Sequence, residues 1–214
     1  MPKRHAARTE NLRRALAQEA ARIMAEHGVR DFLMAKRKAA ERLSITDDAV
    51  LPRNTEIEAA LVEYQRLFGG GSHAESLYAQ RQVALNVMEY LDEFEPRLVG
   101  PVLNGTATEH SDVQIHLFTD RAEAVTIKLM DEGIPHEVTE KRVKMNAERV
   151  LTYPGLLFDM DEQSIDVTVF PRDGIRQAPV SPVDGKPMRR ASADELRMLL
   201  DESEAEPDWL TPVR

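Results

Sequence analysis

Residues 105–118, GTATEHSDVQIHLF, contain the pattern that decides the fold. From position 112 onward polar and apolar side chains alternate strictly, which is typical of a strand with one buried face. The alternation places three polar side chains on one face of this strand, namely Asp112, Gln114 and His116. Residues 164–170 repeat the pattern, with Asp166 and Thr168 on one side. We therefore expect two strands that each present a carboxylate opposite their aliphatic side chains.

The bulk composition is that of a globular protein without a membrane span. The chain has 214 residues, of which 42% are hydrophobic and 30% are charged, and both fractions are ordinary for a globular domain. No apolar run approaches the roughly 20 residues that a membrane span needs, and residues 1–14 lack the apolar stretch of a secretory signal. The absence of cysteine excludes disulfides, thiolate catalysis and cysteine-based zinc sites. We expect a cytoplasmic protein that does not contact membranes.

Charge is distributed unevenly along the chain. The formal net charge is −9, yet residues 1–42 contain eleven Lys or Arg against five Asp or Glu. A basic segment of this kind is suited to binding DNA or RNA, and it can equally pack against the acidic remainder of the protein. Both interpretations of the basic N-terminal segment stay open.

The first third of the chain has the periodicity of helices. Apolar residues recur at helical spacing in three segments, which are residues 10–27, 31–43 and 54–68. The run Gly69-Gly70-Gly71-Ser72 follows and indicates a linker. We therefore predict an N-terminal helical subdomain over residues 1–68 and a second domain over residues 74–214.

The second domain alternates helices with strands. The predicted helices are residues 74–94, residues 119–131 and a last helix that begins near Ser192. The predicted strands are residues 97–103, 113–118, 136–145, 151–160 and 164–170. This order predicts the α/β (α+β) class, with a mixed sheet and helices on one face.

The small turn, the Ser-Asp step and the second carboxylate strand together resemble the signature of the DNA polymerase beta-type nucleotidyltransferase superfamily. That signature is a strand, a Gly-Ser or Gly-Gly turn, a short helical stretch, Ser-Asp-aliphatic-Asp on the next strand, and a third carboxylate on a later strand. Gly105-Thr106 looks like the turn, Ser111-Asp112 matches the Ser-Asp step, and Ile165-Asp166-Val167 is similar to the third-carboxylate strand. The resemblance covers roughly residues 90–171. It implies metal-dependent transfer of a nucleotidyl group from a nucleoside triphosphate to a protein, nucleic-acid or small-molecule acceptor.

The resemblance also assigns roles to individual residues. Asp112 and Asp166 would bind Mg²⁺ or Mn²⁺, because hard cations take oxygen ligands, and Gln114 or His116 would orient the acceptor. Five further residues would contact the triphosphate: Gly105, Thr106, Ser111, Arg172 and Arg176. A basic cluster in the following loop is a further phosphate candidate or else a solvated turn, and it consists of Lys186, Arg189 and Arg190.

Gln114 is the departure that divides the functional hypotheses. The superfamily has an aspartate at this position, and an amide supplies no negative charge to bind two cations. A one-metal site formed by Asp112, His116 and Asp166 is one alternative. The other is a catalytically inactive relative that binds a nucleotide, a nucleic acid or a protein. Active enzyme and inactive relative are therefore the two hypotheses.

Overall fold

The structure is a computed structural model that describes residues 2–47 and 50–205. The described residues form two compact units. The helical unit comprises the chain up to His73 together with Thr108–His110 and Pro182–Asp184. The sheet unit comprises Ala74–Ala107, Ser111–Ser181 and the chain from Gly185 onward.

The helical unit contains three α-helices that share one core. They are α1 (Pro2–His27), α2 (Phe32–Arg42) and α3 (Asn54–Tyr64). Leu16, Ile23 and Ile57 are fully buried in this core. Several buried alanines let the helix backbones approach closely, and they are Ala20, Ala21, Ala35 and Ala39. The Asp31 side chain caps α2 by accepting a hydrogen bond from the Met34 backbone N–H at 2.7 Å.

The glycine run that the sequence indicated as a linker is helical instead. A π-helical turn over Gln65–Gly69 follows α3 directly, and α4 (Gly70–Tyr90) begins at the next residue. Gly70 has a φ of +50°, which a glycine adopts at little cost. Ser72 Oγ donates a hydrogen bond to the Gly69 carbonyl oxygen at 2.7 Å, so it satisfies a backbone group at the break.

The sheet unit contains one five-stranded mixed sheet with the strand order β1-β2-β5-β4-β3. The strands are β1 (Arg97–Val99), β2 (Val113–Phe118), β3 (His136–Lys144), β4 (Val150–Met160) and β5 (Gln163–Phe170). β2 and β5 pair in parallel, and the other neighbours are antiparallel. The predicted α/β class with a mixed sheet is therefore confirmed.

One face of this sheet is covered by helices. Besides α4, the unit has the short helix α5 (Gly100–Asn104), α6 (Ala122–Asp131) and α7 (Ala193–Ala205). Fully buried side chains from α4, α6 and α7 join the aliphatic side chains of the strands in one cluster, as with Met88, Leu129, Leu196, Ile115 and Val167. Burial of apolar surface in this cluster leaves the alternate side chains of each strand on the opposite face. Within the described residues, no helix is both long and apolar enough to cross a membrane.

Candidate functional site

The parallel pair β2 and β5 brings the predicted polar residues together on one face. Gln114 lies opposite Asp166, and His116 lies opposite Thr168. Asp112 immediately precedes β2 and is only 8% exposed. We call this side of the sheet the polar face. It includes Gln114, His116, Lys141, Asp166, Thr168 and Arg190, with Asp112 at the start of β2. Strand register also places the exposed Glu137 and Asp159 on this side.

A glycine turn follows β1, but at Gly100 and not at Gly105. The predicted strand 97–103 ends at Val99, and residues 100–104 form α5. Gly100 has a φ of +72°, and a Cβ atom there would overlap Gln114 Oε1. Pro101 favours this helix, because proline suits a first helical turn and cannot donate within a sheet. The structure thus corrects the place of Gly105 and Thr106, which follow α5 rather than the strand.

Gly105 and Thr106 close the short helix. Gly105 has a φ of +80° and ends α5, and the Thr106 backbone N–H donates to the Pro101 carbonyl oxygen at 3.0 Å. A half-buried arginine, Arg81, lies beside Gly105, since its Nη2 would be 3.8 Å from a Cβ atom there. Arg81 Nε donates to the Val102 carbonyl oxygen at 3.2 Å. Burial lowers the pKa of Arg81, and the charge of Arg189 lowers it further. The predicted phosphate contact at Gly105 therefore has a cationic neighbour.

Lys141 reaches across β4 to Asp166. Its Nζ lies 2.8 Å from Asp166 Oδ1, although β3 and β5 are not neighbours in the sheet. The lysine stem passes over Gly155 of β4, where a Cβ atom would lie 2.7 Å from Lys141 Cγ and 2.7 Å from Thr139 Oγ1. The absent side chain at position 155 is therefore what lets the ammonium group reach the carboxylate.

His116 is buried and neutral on this face. Its Nδ1 accepts a hydrogen bond from Arg190 Nε at 3.1 Å. Burial, and then the charge of Arg190, lower the pKa of His116 to about 3. Because Nδ1 is the acceptor, the single ring proton is on Nε2. The His116 ring therefore presents an N–H donor and no second lone pair.

Arg190 connects the sheet to the turn that follows β5. Its Nη1 donates to the carbonyl oxygens of Gly174 at 2.9 Å and Ile175 at 3.3 Å. Its guanidinium carbon lies 4.8 Å from the Phe118 ring centroid and 5.2 Å from that of Phe170, distances that suit cation–π attraction. Burial, more than the charge of nearby Arg97, lowers the pKa of Arg190 to about 10, so it stays charged at neutral pH. Of the predicted basic cluster, Lys186 and Arg189 are exposed.

The donor atoms of the polar face do not fit a divalent cation well. Asp166 is paired with an ammonium group, Gln114 is neutral, and the only lone pair on the neutral His116 ring is engaged by Arg190. Across the described part of the chain, no group of three or more His, Cys, Asp or Glu side chains is placed to hold a metal ion. The metal role of Asp112 and Asp166 stays a prediction.

Arg172 and Arg176 lie at the far end of the strands from Asp112. Both belong to a short 3₁₀ turn after β5, and both are exposed. β5 continues for four residues beyond Asp166 to Phe170, which corresponds to about 13 Å, before this turn begins. The Arg172 backbone N–H donates to Asp120 Oδ1 at 3.1 Å. The structure therefore does not bring these arginines to the two carboxylates, whereas Ser111 directly precedes Asp112 and is half-buried.

Four residues of this region were not predicted from the sequence. Gly100 had a local signal, because the Gly-Pro step interrupts an apolar run. Gly155 had a weaker one, since Pro154-Gly155 is unusual within a strand. Lys141 and Arg97 had none, because both are ordinary basic residues in strands and only the sheet order brings them near the polar face.

Comparisons of the chain with protein-family models, with curated proteins and with solved structures found no match.

Proposed function

We propose that this chain is a nucleotidyltransferase-like protein that binds a nucleoside triphosphate on the polar face. The observation that carries the proposal is the order of elements around Asp112. β1, the Gly100 turn, the short α5, the Ser111-Asp112 step and β2 follow one another, and β5 adds Asp166 beside β2. This order is closer to the superfamily signature than an alignment through Gly105, because the glycine now directly follows a strand and precedes a short helix.

The charges around the polar face also support an anionic ligand. Arg97 lies opposite His116 in the β1–β2 register, so it belongs to the same side of the sheet as Lys141 and Arg190. Arg97 lies close enough to Arg190 for its charge to lower the pKa of Arg190, whereas the strand carboxylates on this side, Glu137, Asp159 and Asp166, lie on β3, β4 and β5. Guanidinium groups bind phosphate oxygens through paired hydrogen bonds. A triphosphate would therefore supply negative charge beside Arg97 and Arg190.

Binding without metal-dependent transfer is the better supported form of the proposal. Gln114 lies opposite Asp166 where the superfamily has a carboxylate, and Asp166 is already paired with Lys141. Nucleotidyl transfer to an acceptor is the second candidate, and the buried Asp112 after Ser111 favours it. In that case Asp112 and Asp166 would hold Mg²⁺ or Mn²⁺, which would neutralise charge on the phosphates.

Partner and location belong to the same proposal. α2 presents two exposed basic residues, Arg37 and Lys38, which suit a nucleic-acid or acidic protein partner. A cytoplasmic location would supply the nucleoside triphosphate. Both statements are proposals that depend on a nucleotide being bound.

The test is calorimetric titration of the full chain with ATP, GTP, CTP and UTP, first in EDTA and then with Mg²⁺. We expect at least one triphosphate to bind in EDTA, and we expect Arg97→Gln to weaken that binding at least fivefold. Arg149→Gln is the matched control, because it removes the same charge from an exposed position in the loop between β3 and β4. A folded protein that binds none of the four triphosphates under either condition would overturn the proposal.

An assay for transfer separates the two candidates. The protein is incubated with α-labelled triphosphate and Mg²⁺ or Mn²⁺. Two quantities are measured: incorporation of the label into protein or RNA, and release of pyrophosphate. Release that is lost in Asp112→Asn would establish the second candidate. Binding without release supports the first.

A further inference from the structure

We propose that the Lys141 ammonium group is a resident cation at Asp166 and acts there in place of a divalent metal ion. This inference rests on the proposed function, since it concerns how the same polar face receives a nucleotide. Its consequence is that the wild-type protein binds its triphosphate without Mg²⁺ or Mn²⁺.

The first argument is the position of the ion pair. Lys141 Nζ and Asp166 Oδ1 are 2.8 Å apart, and the two side chains are only 25% and 21% exposed. The attraction within a pair this shielded from solvent is screened less by salt than that within a surface pair. A divalent cation that bound Asp166 would therefore have to displace an ammonium group already in contact with the carboxylate.

The second argument is that the sheet is shaped for the lysine. Gly155 is the only glycine within the five described strands. Glycine weakens a strand, and its presence often marks a close approach by another group. Here the approaching group is the Lys141 stem, because a Cβ atom at position 155 would lie 2.7 Å from Lys141 Cγ and 2.9 Å from Lys141 Cε.

The third argument is the balance of charge. A divalent cation carries two positive charges and binds through carboxylate and other oxygen ligands, whereas one ammonium group is neutralised by one carboxylate. Gln114 lies opposite Asp166 and adds no charge. The single charge of Asp166 is matched by the single charge of Lys141. The neutral amide at position 114 and the ammonium group at Asp166 therefore both reduce the negative charge available to a divalent cation.

The experiment measures Mn²⁺ alone, without nucleotide, by electron paramagnetic resonance of free and bound Mn²⁺. It compares Gln114→Asp with the double variant Gln114→Asp/Lys141→Met. The control double variant is Gln114→Asp/Lys144→Met. It removes the same charge from an exposed position of the same strand, on the face opposite to that of Lys141. We expect the Lys141 double variant to bind Mn²⁺ at least tenfold more tightly than the other two.

Equal Mn²⁺ affinity in the three folded variants would overturn the inference, because Lys141 would then not compete for Asp166. A second measurement uses the wild-type protein and needs no folded variant. The affinity for the triphosphate that binds best is compared in EDTA and in Mg²⁺, and we expect less than a threefold difference. A gain of tenfold or more with Mg²⁺ would also overturn the inference.

The two proposals fail separately. If the wild-type chain binds no triphosphate, the proposed function is wrong, yet the Mn²⁺ comparison still decides whether Lys141 occupies the carboxylate. If a triphosphate binds only with metal, the proposed function holds and the role of Lys141 is wrong.

Discussion

His116 makes the stability of the sheet unit depend on pH. The pKa of this buried imidazole is about 3, against an ordinary value of 6.5. Below pH 6.5 His116 is protonated in the unfolded chain but stays neutral in the folded chain, so the free energy of unfolding falls as the pH falls. The contribution of neutral His116 is therefore complete above pH 6.5 and is lost progressively towards pH 3.

The size of this effect follows from the two pKa values. Each pH unit within the window is worth about 1.4 kcal/mol. At about pH 4 the solution is some 2.5 units below the ordinary pKa and still above the folded one, so the expected loss is about 3 kcal/mol. His116→Gln removes the titration and keeps an oxygen that can accept the hydrogen bond from Arg190 Nε.

The assay is urea unfolding followed by far-UV circular dichroism at about pH 8 and about pH 4. Between these two conditions we expect the wild-type chain to lose about 3 kcal/mol more than His116→Gln does. Carboxylates that titrate in the same range affect both proteins and cancel in the comparison. His136→Gln is the control variant, because it removes a histidine from a strand position outside the polar face and its loss in the free energy of unfolding is measured in the same way. Equal losses in the wild-type chain and His116→Gln would show that the fold does not exclude the proton from His116.

Three other substitutions test the packing around the polar face by urea unfolding. Gly155→Ala places a methyl group 2.7 Å from the lysine stem, so we expect a loss of about 1–3 kcal/mol. Gly174→Ala is the milder control, since its nearest atom would lie at 3.1 Å. Gly100→Ala combines a positive φ with overlap of the Gln114 amide, at a cost of about 1–3 kcal/mol. In the double variant Gly100→Ala/Gln114→Ala we expect only the stability lost through the overlap to be restored. Full restoration would show that the positive φ at position 100 costs nothing. Arg190→Met removes donors to one imidazole and two carbonyl groups, so a loss of about 2–4 kcal/mol is expected. A loss below about 1 kcal/mol would show that these contacts stabilise little.

The parts of the fold that follow from local patterns could be predicted. Alternation over residues 112–118 predicted β2 and the face shared by Gln114 and His116, because a strand with one buried face needs an apolar side chain at every second position. Asp166 was placed on a matching strand for the same reason. The parallel pairing of β2 with β5 then set Gln114 opposite Asp166.

The end of β1 could not be predicted from hydrophobicity. Residues 98–103 are apolar, and a short apolar run is compatible with a strand or a buried helix. The structure ends the strand at Val99 because Gly100 adopts a positive φ and Pro101 cannot donate a hydrogen bond to a neighbouring strand. The prediction of a linker at residues 69–72 was wrong for a related reason. One glycine with a positive φ, Gly70, separates two helical segments there.

The ion pair at the polar face lay beyond any local pattern. Lys141 and Asp166 are 25 positions apart and meet only because β4 lies between their strands and has no side chain at Gly155. Similarly, Arg190 and His116 are 74 positions apart. Contacts of this kind depend on sheet order, which the sequence left undetermined.

The crossing of Lys141 over Gly155 also constrains how this protein can diverge. A side chain at position 155 fits without loss of stability only where position 141 has a shorter stem and position 139 leaves space, because Thr139 Oγ1 lies equally near. Homologous chains should therefore change these three positions as a set. A chain that keeps the lysine should keep the glycine, and a chain with a larger residue at position 155 should carry a short one at position 141.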